Sequence, residues 1–176
     1  MIGYLAVDLF EPLGYVGGCL VVDEHGLPLE FRHTLPVRPT KLQRALYGAA
    51  IDRYLRTVVI AQRVLDTLEH QPPLVLVSEQ LLLLPGEPPC AYVTDAGVAP
   101  VGRVGDVEAI TGASPGFLLQ VRADEAPLRV LTEAPAHVYP ELGKALAHAA
   151  ETMDVLEPMA RVRASIGLIA AGDVAA

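Results

Sequence analysis

Apolar positions in this chain fall into two kinds of pattern: short continuous runs, and stripes spaced three and four residues apart. The runs at 3–9, 15–22, 74–79 and 90–95 have strand length and are rich in Val and Leu. Such runs predict strands buried on both faces of a sheet, with 74–79 as a central parallel strand. "EPLG" makes a turn between the first two, and "DEHG" supplies Gly26 for the next. Residues 27–34 then return as a third strand with Leu27, Leu29 and Phe31 on one face. Pro28 near its start marks an edge position.

The first stripe begins at "VRPTK", where Thr40 can cap a helix, and runs through Leu42, Leu46, Ala49, Tyr54, Leu55, Val58, Leu65 and Leu68 to "HQPP". Lys41, Arg44, Arg53, Arg56 and Arg63 gather on one half of the wheel, which reads as a solvated face. Leu55 and Val59 intrude there, so the helix is expected to be covered on more than one face. "QLLLL" reads as a short helical turn. Residues 96–115 form a Gly-rich connector with "DVEAIT" as its one regular piece, and no phosphate-loop spacing. A second hairpin follows at 116–135. A second stripe, opened by Pro140, has its seam at Leu142, Leu146, Ala149, Met153 and Leu156. Pro158 interrupts it, and the phase restarts at Met159, Val162, Ile166 and Ile169, which predicts a kink or a new helix.

The expected fold is one α/β domain over 1–176. A hairpin–helix–strand core with a mixed sheet fills 1–95, the connector spans 96–115, and the second hairpin and a long, kinked C-terminal helix occupy 116–170. "LPLEFRHTLP" and "APLRVLTEAP" share a Pro-Leu start and a later Pro, each as the return strand of a hairpin that feeds a helix.

Composition narrows function more than it names it. The 176 residues are 52% hydrophobic with mean hydropathy +0.38, above the usual apolar share of about 45–50%. No apolar run reaches the roughly 18–20 residues of a membrane helix. The N-terminus has no basic region, and Asp8 and Glu11 interrupt its apolar stretch, so no signal peptide is expected and the chain reads as cytoplasmic. The surplus apolar surface points to self-association or a protein partner. A formal net charge of −8 disfavours a general nucleic-acid binder. Cys19 and Cys90 read as buried thiols, the histidines lack zinc-ligand spacing, and Ser78 and Ser114 lack a hydrolase context.

Three carboxylates end or interrupt apolar strands: Asp8, Glu79 and Asp95. If strands one and four are parallel neighbours about 4.8 Å apart, Asp8 and Glu79 could share Mg²⁺ or Mn²⁺, the start of a metal-dependent phosphoryl site. Asp95 would lie two strand spacings from Asp8, too far for the same ion. Structural roles compete: Asp8 as a cap on the "EPLG" turn, Glu79 as the acid that opens the "QLLLL" helix.

The order strand with internal Asp, hairpin, long helix, buried strand ending in an acid resembles the ribonuclease H-like superfamily, including endonuclease V-like nucleases, over residues 2–95. The resemblance implies a nuclease with Asp8 and Glu79 as catalytic and metal-binding acids and a further acid from a helix. The first helix begins without one, which leaves Glu141 in "YPELGKALAHAA" as the candidate. Two expectations result. One is a non-catalytic α/β protein that acts through protein contacts, with no cofactor. The other is a Mg- or Mn-dependent nuclease.

Overall fold

In the computed structural model, which describes residues 1–112 and 114–173, the continuous apolar runs form the middle of one eight-stranded sheet. Its order is β3-β2-β1-β4-β5-β8-β7-β6, with β1 (Ile2–Phe10), β2 (Gly14–Val22), β3 (Pro28–His33), β4 (Val75–Val77), β5 (Cys90–Asp95), β6 (Val107–Ile110), β7 (Gly116–Leu119) and β8 (Leu128–Thr132). The central three, β1-β4-β5, are parallel, and the remaining pairings are antiparallel. The mixed sheet and the edge position of β3 match the sequence expectation. Leu27 and Leu29, however, stay exposed on that edge. The two similar stretches also take different places, since β3 is an edge and β8 lies inside the sheet.

Strand alternation divides each apolar run between two cores. In β1, Tyr4 and Ala6 face the layer of α4 (Tyr139–Ala150) and α5 (Glu157–Ala171), with Leu76, Phe117, Leu146 and Ile166. Leu5 and Val7 face the opposite layer with Cys19, Ile60, Val64 and Val75. This is why the runs lack polar positions: both sides of the strand are inside. The Tyr4 hydroxyl donates to the Val155 carbonyl at 3.0 Å and ties β1 to the turn between α4 and α5. No helix among the described residues is long and apolar enough to cross a membrane.

The first helical stretch is one path with several changes of pitch. Thr40 and Gln43 form a reciprocal capping box for α1 (Lys41–Tyr47). Gly48, at φ 51°, then breaks the regular turn. A 3₁₀ turn, α2 (Ile51–Tyr54), a π-helix (Leu55–Ala61) and α3 (Gln62–Asp66) follow. The wider π turn slips the apolar phase, so Leu55, Ile60, Ala61 and Val64 become buried while Val58 points out. The expected stripe of Leu42 and Leu46 is exposed, and α1 buries no residue at all.

Adjacent glycines in β2 receive a helix on each face. A Cβ on Gly17 would collide with Ile60 of the π-helix, and one on Gly18 would come within 2.9 Å of Ile166 on α5. Glu30 of β3 clasps the end of the helical stretch: its carboxylate accepts from the Glu69 and His70 amides at 3.0 and 2.8 Å and from Arg32 Nε at 2.6 Å. Burial alone would raise the Glu30 pKa, but these donors outweigh it and bring it from 4.5 to about 2.

The C-terminal third decides one expectation and bears out another. The expected long, kinked helix is two helices, with Pro158 in the first turn of the second, where its missing N–H leaves no bond unmade. The regular piece expected at "DVEAIT" in the Gly-rich connector is β6, an edge strand, and the rest of the connector is anchored through one side chain. Buried Gln120 accepts from Val101 N and donates to the carbonyls of Arg122 and Glu125.

Candidate functional site

In a sheet with parallel strands, chemistry gathers where those strands end. Here that edge is formed by the carboxyl ends of β1, β4 and β5. Pairing between β1 and β4 covers only Gly3–Leu5 against Val75–Val77, after which β4 leaves through a short 3₁₀ turn, Gln80–Leu82. The second half of β1 therefore has no ladder partner on that side, and Asp8 lies on this open half.

Register decides which way each acid faces. Gly3 pairs with Val75, and Asp8 lies five residues on while Glu79 lies four on. The two positions have opposite parity, so the pleat sends them to opposite faces. Asp8 shares the α5 face with Tyr4, Ala6 and its cross-strand partner Val16. It is partly buried, and among the described residues it makes no hydrogen bond or ion pair, so it does not cap the "EPLG" turn.

Glu79 continues the extended path of β4 at φ −158°, ψ 155°, toward the π-helix. It makes no capping bond to the turn it opens. Its Oε1 accepts instead from Arg56 Nη1 at 3.0 Å. The same guanidinium donates to the Val7 carbonyl at 2.6 Å and to Asp52 Oδ1 at 3.1 Å, and lies over the Tyr15 ring at 5.4 Å. Tyr15 in turn donates its hydroxyl to Asp52, and burial followed by this bond raises its pKa. Arg56, expected on a solvated face, thus crosslinks the helix to β1 and β4. Lys41, Arg44, Arg53 and Arg63 do remain exposed.

Glu141 lies elsewhere. It lines a hollow with Pro73, Pro89 and Cys90, at the amino ends of β4 and β5. Asp8 and Glu79 lie toward the opposite ends of the parallel strands. No group of three or more His, Cys, Asp or Glu among the described residues could hold a metal ion. The donor set that the resemblance implies for Mg²⁺ or Mn²⁺ does not fit: one acid is unpartnered, one is held by arginine on the far face, and one is at the other edge.

What the edge does contain is a pocket of about 330 Å³ on the α5 face. Its walls include Leu76, Val93, Val155 and Met159, and its polar members include Ser78, Thr94, Asp95 and Arg163. Arg163 Nη2 donates to the Ser78 carbonyl at 3.3 Å. Asp95 accepts from the Gly97 amide at 2.7 Å and pairs with no cation among the described residues. The Ser78 hydroxyl is sealed from solvent and has no hydrogen-bond partner among the described residues. Sequence patterns gave Asp95 its strand end but offered no signal for Arg163, which belongs to a helix remote in sequence.

No family model matches the chain, and no curated protein sequence does. A solved structure, that of human ENDOV, an endonuclease V, is similar over 99% of this chain and 85% of its own, with TM-score 0.51 and 12% identity. This likeness is one of fold. It spans nearly the whole chain and is not confined to residues 2–95.

Proposed function

We propose that this chain works by binding on a nuclease-type scaffold, without metal-dependent cleavage, and that it acts through protein contacts in a homo-oligomer or a larger complex. The opposite facing of Asp8 and Glu79, with Glu79 engaged by Arg56, carries the first part. The contact surface is supported by α1, where Leu42 and Leu46, one helical turn apart, are 67% and 72% exposed. Large apolar side chains grouped this way mark interaction surfaces more often than singly exposed ones do.

A second reading, a Mg- or Mn-dependent nuclease that relies on Asp8, is favoured by the likeness to an endonuclease and by the place of Asp8 on the open half of β1. Fold likeness weighs toward this reading and acid geometry against it. One assay separates them. With Mg²⁺ or Mn²⁺, single- and double-stranded DNA and RNA should be cut no faster by the wild type than by Asp8→Asn; metal-dependent cutting lost in Asp8→Asn establishes the nuclease. In light scattering across concentration, the mass should rise, and Leu42→Glu with Leu46→Glu should abolish the rise. A constant monomer mass removes the self-association form of the proposal.

A further inference from the structure

The carboxyl-edge pocket is a receptor in its own right, and its chemistry does not depend on how the acids of β1 and β4 are used. We infer that it binds a small monocarboxylic acid with a compact apolar body, the carboxylate on Arg163 and Ser78 and the body against Leu76, Val93, Val155 and Met159.

Three observations converge on this class. The first is the cation. Arg163 makes one contact in the described structure, to the Ser78 carbonyl, and no carboxylate neutralises it. A guanidinium presents several donors in a fixed plane, and its best complement is a carboxylate. The second is the hydroxyl. By strand parity Ser78 shares the face of Leu76, on which the pocket opens, and its Oγ is buried without a partner. Buried polar atoms are nearly always paired, so an isolated one calls for an acceptor. Because Arg163 sits on the backbone of this residue, a turn of the Ser78 side chain about χ1 toward the pocket lets one carboxylate meet both donors.

The third observation concerns exclusion. The remaining wall is largely apolar, and about 330 Å³ lies at the small end of ligand sites, which run about 300–1,000 Å³. Asp95 lines the same pocket with its charge unpaired. A second carboxylate, or a doubly charged phosphate, would meet repulsion there. One negative charge meets Arg163 and a short hydrocarbon body meets the apolar walls, while Asp95, which is exposed, stays with solvent.

The probe is 4-methylpentanoate, titrated calorimetrically into the full chain, with 4-methylpentanamide and (2-methylpropyl)propanedioate as the neutral and doubly charged analogues. Saturable one-to-one binding is expected for the monocarboxylate, with each analogue weaker by about tenfold or more. Arg163→Gln should weaken the monocarboxylate about tenfold while leaving the melting temperature of the free protein unchanged. Ser78→Ala should weaken it less, and should raise the melting temperature because the unpaired hydroxyl is gone. Absence of saturable heat up to millimolar 4-methylpentanoate overturns the proposal. So does equal binding of acid and amide, or an Arg163→Gln affinity within twofold of wild type.

Discussion

Two arginines reach the end of β4, one from each layer, and their situations are opposite. Arg56 comes from the π-helix side and is saturated by Glu79, Asp52, the Val7 carbonyl and the Tyr15 ring, with its side chain 16% exposed. Arg163 comes from α5 and touches one carbonyl beside a pocket. The same functional group at the same strand end is a structural clamp on one face and a free cation on the other. Charge near a strand end therefore says little about function until its partners are counted. One of the candidate catalytic acids, Glu79, belongs to the clamp.

The largest expected difference between the faces is in stability. Arg56→Met removes charge-assisted bonds and strands a carbonyl and two carboxylates, and should lower unfolding free energy by about 2–3 kcal/mol. Arg163→Met should change it by less than about 0.5 kcal/mol. Urea unfolding measures both, and equal losses would erase the contrast.

Next come the paired glycines. Gly17→Ala drives a methyl into Cγ2 of Ile60 and should cost about 2 kcal/mol, partly restored by Ile60→Leu in the same chain, which lacks that branching methyl. Gly18→Ala meets Ile166 and Phe31 at 2.9 and 3.0 Å and should cost about 1 kcal/mol, with no relief from Ile60→Leu.

Acid should then loosen one layer before the other. Glu30 clasps the end of the helical stretch on the Arg56 face, and its pKa is depressed from 4.5 to about 2. Its contribution is complete above the unfolded value, near 4.5, and is lost as pH falls toward 2. Amides of residues 62–70 should lose hydrogen-exchange protection across this window ahead of those in α5, and Glu30→Gln should flatten the dependence.

The smallest effect is a reporter of the same layer. Cys19 and Cys90 are both buried on the Arg56 face, and burial raises both thiols, Cys19 to about 12. Neither should react with a thiol reagent in the native wild type at neutral pH. Arg56→Met should admit the reagent measurably faster than Arg163→Met.

Much of the fold was legible in the sequence because its signals are local. Val- and Leu-rich runs marked β1, β2, β4 and β5, Pro28 marked an edge, Thr40 marked a helix start, and Pro158 marked a break. The π-helix was hidden because a fixed 3.6-residue period cannot register a slip between Tyr54 and Gln62, which is why Leu42 and Leu46 read as core and Arg56 as solvated. The candidate site was less legible for a different reason. Asp8 and Glu79 are visible as acids in strands, but whether they meet depends on the pairing of Gly3 with Val75, a register that no nearby residue encodes. The pocket joins β4 and β5 to α5 across most of the chain, and nothing local announces it.

The π-helix also fixes how many residues this chain can have. Each residue in an α-helix turns the path by about 100° and advances it 1.5 Å. Deleting one residue within Leu55–Ala61 would either remove the wide turn and shift the side chains inside it by one place, or keep that turn and rotate everything on one side of the cut by that angle. Ile60 would leave Gly17, and Val64 would turn out of the core or Arg56 away from Glu79. Single-residue deletions here should therefore be far more damaging than substitutions at the same positions. A one-residue insertion into the loop around Gly86, where an added Cβ meets nothing, should pass almost unnoticed.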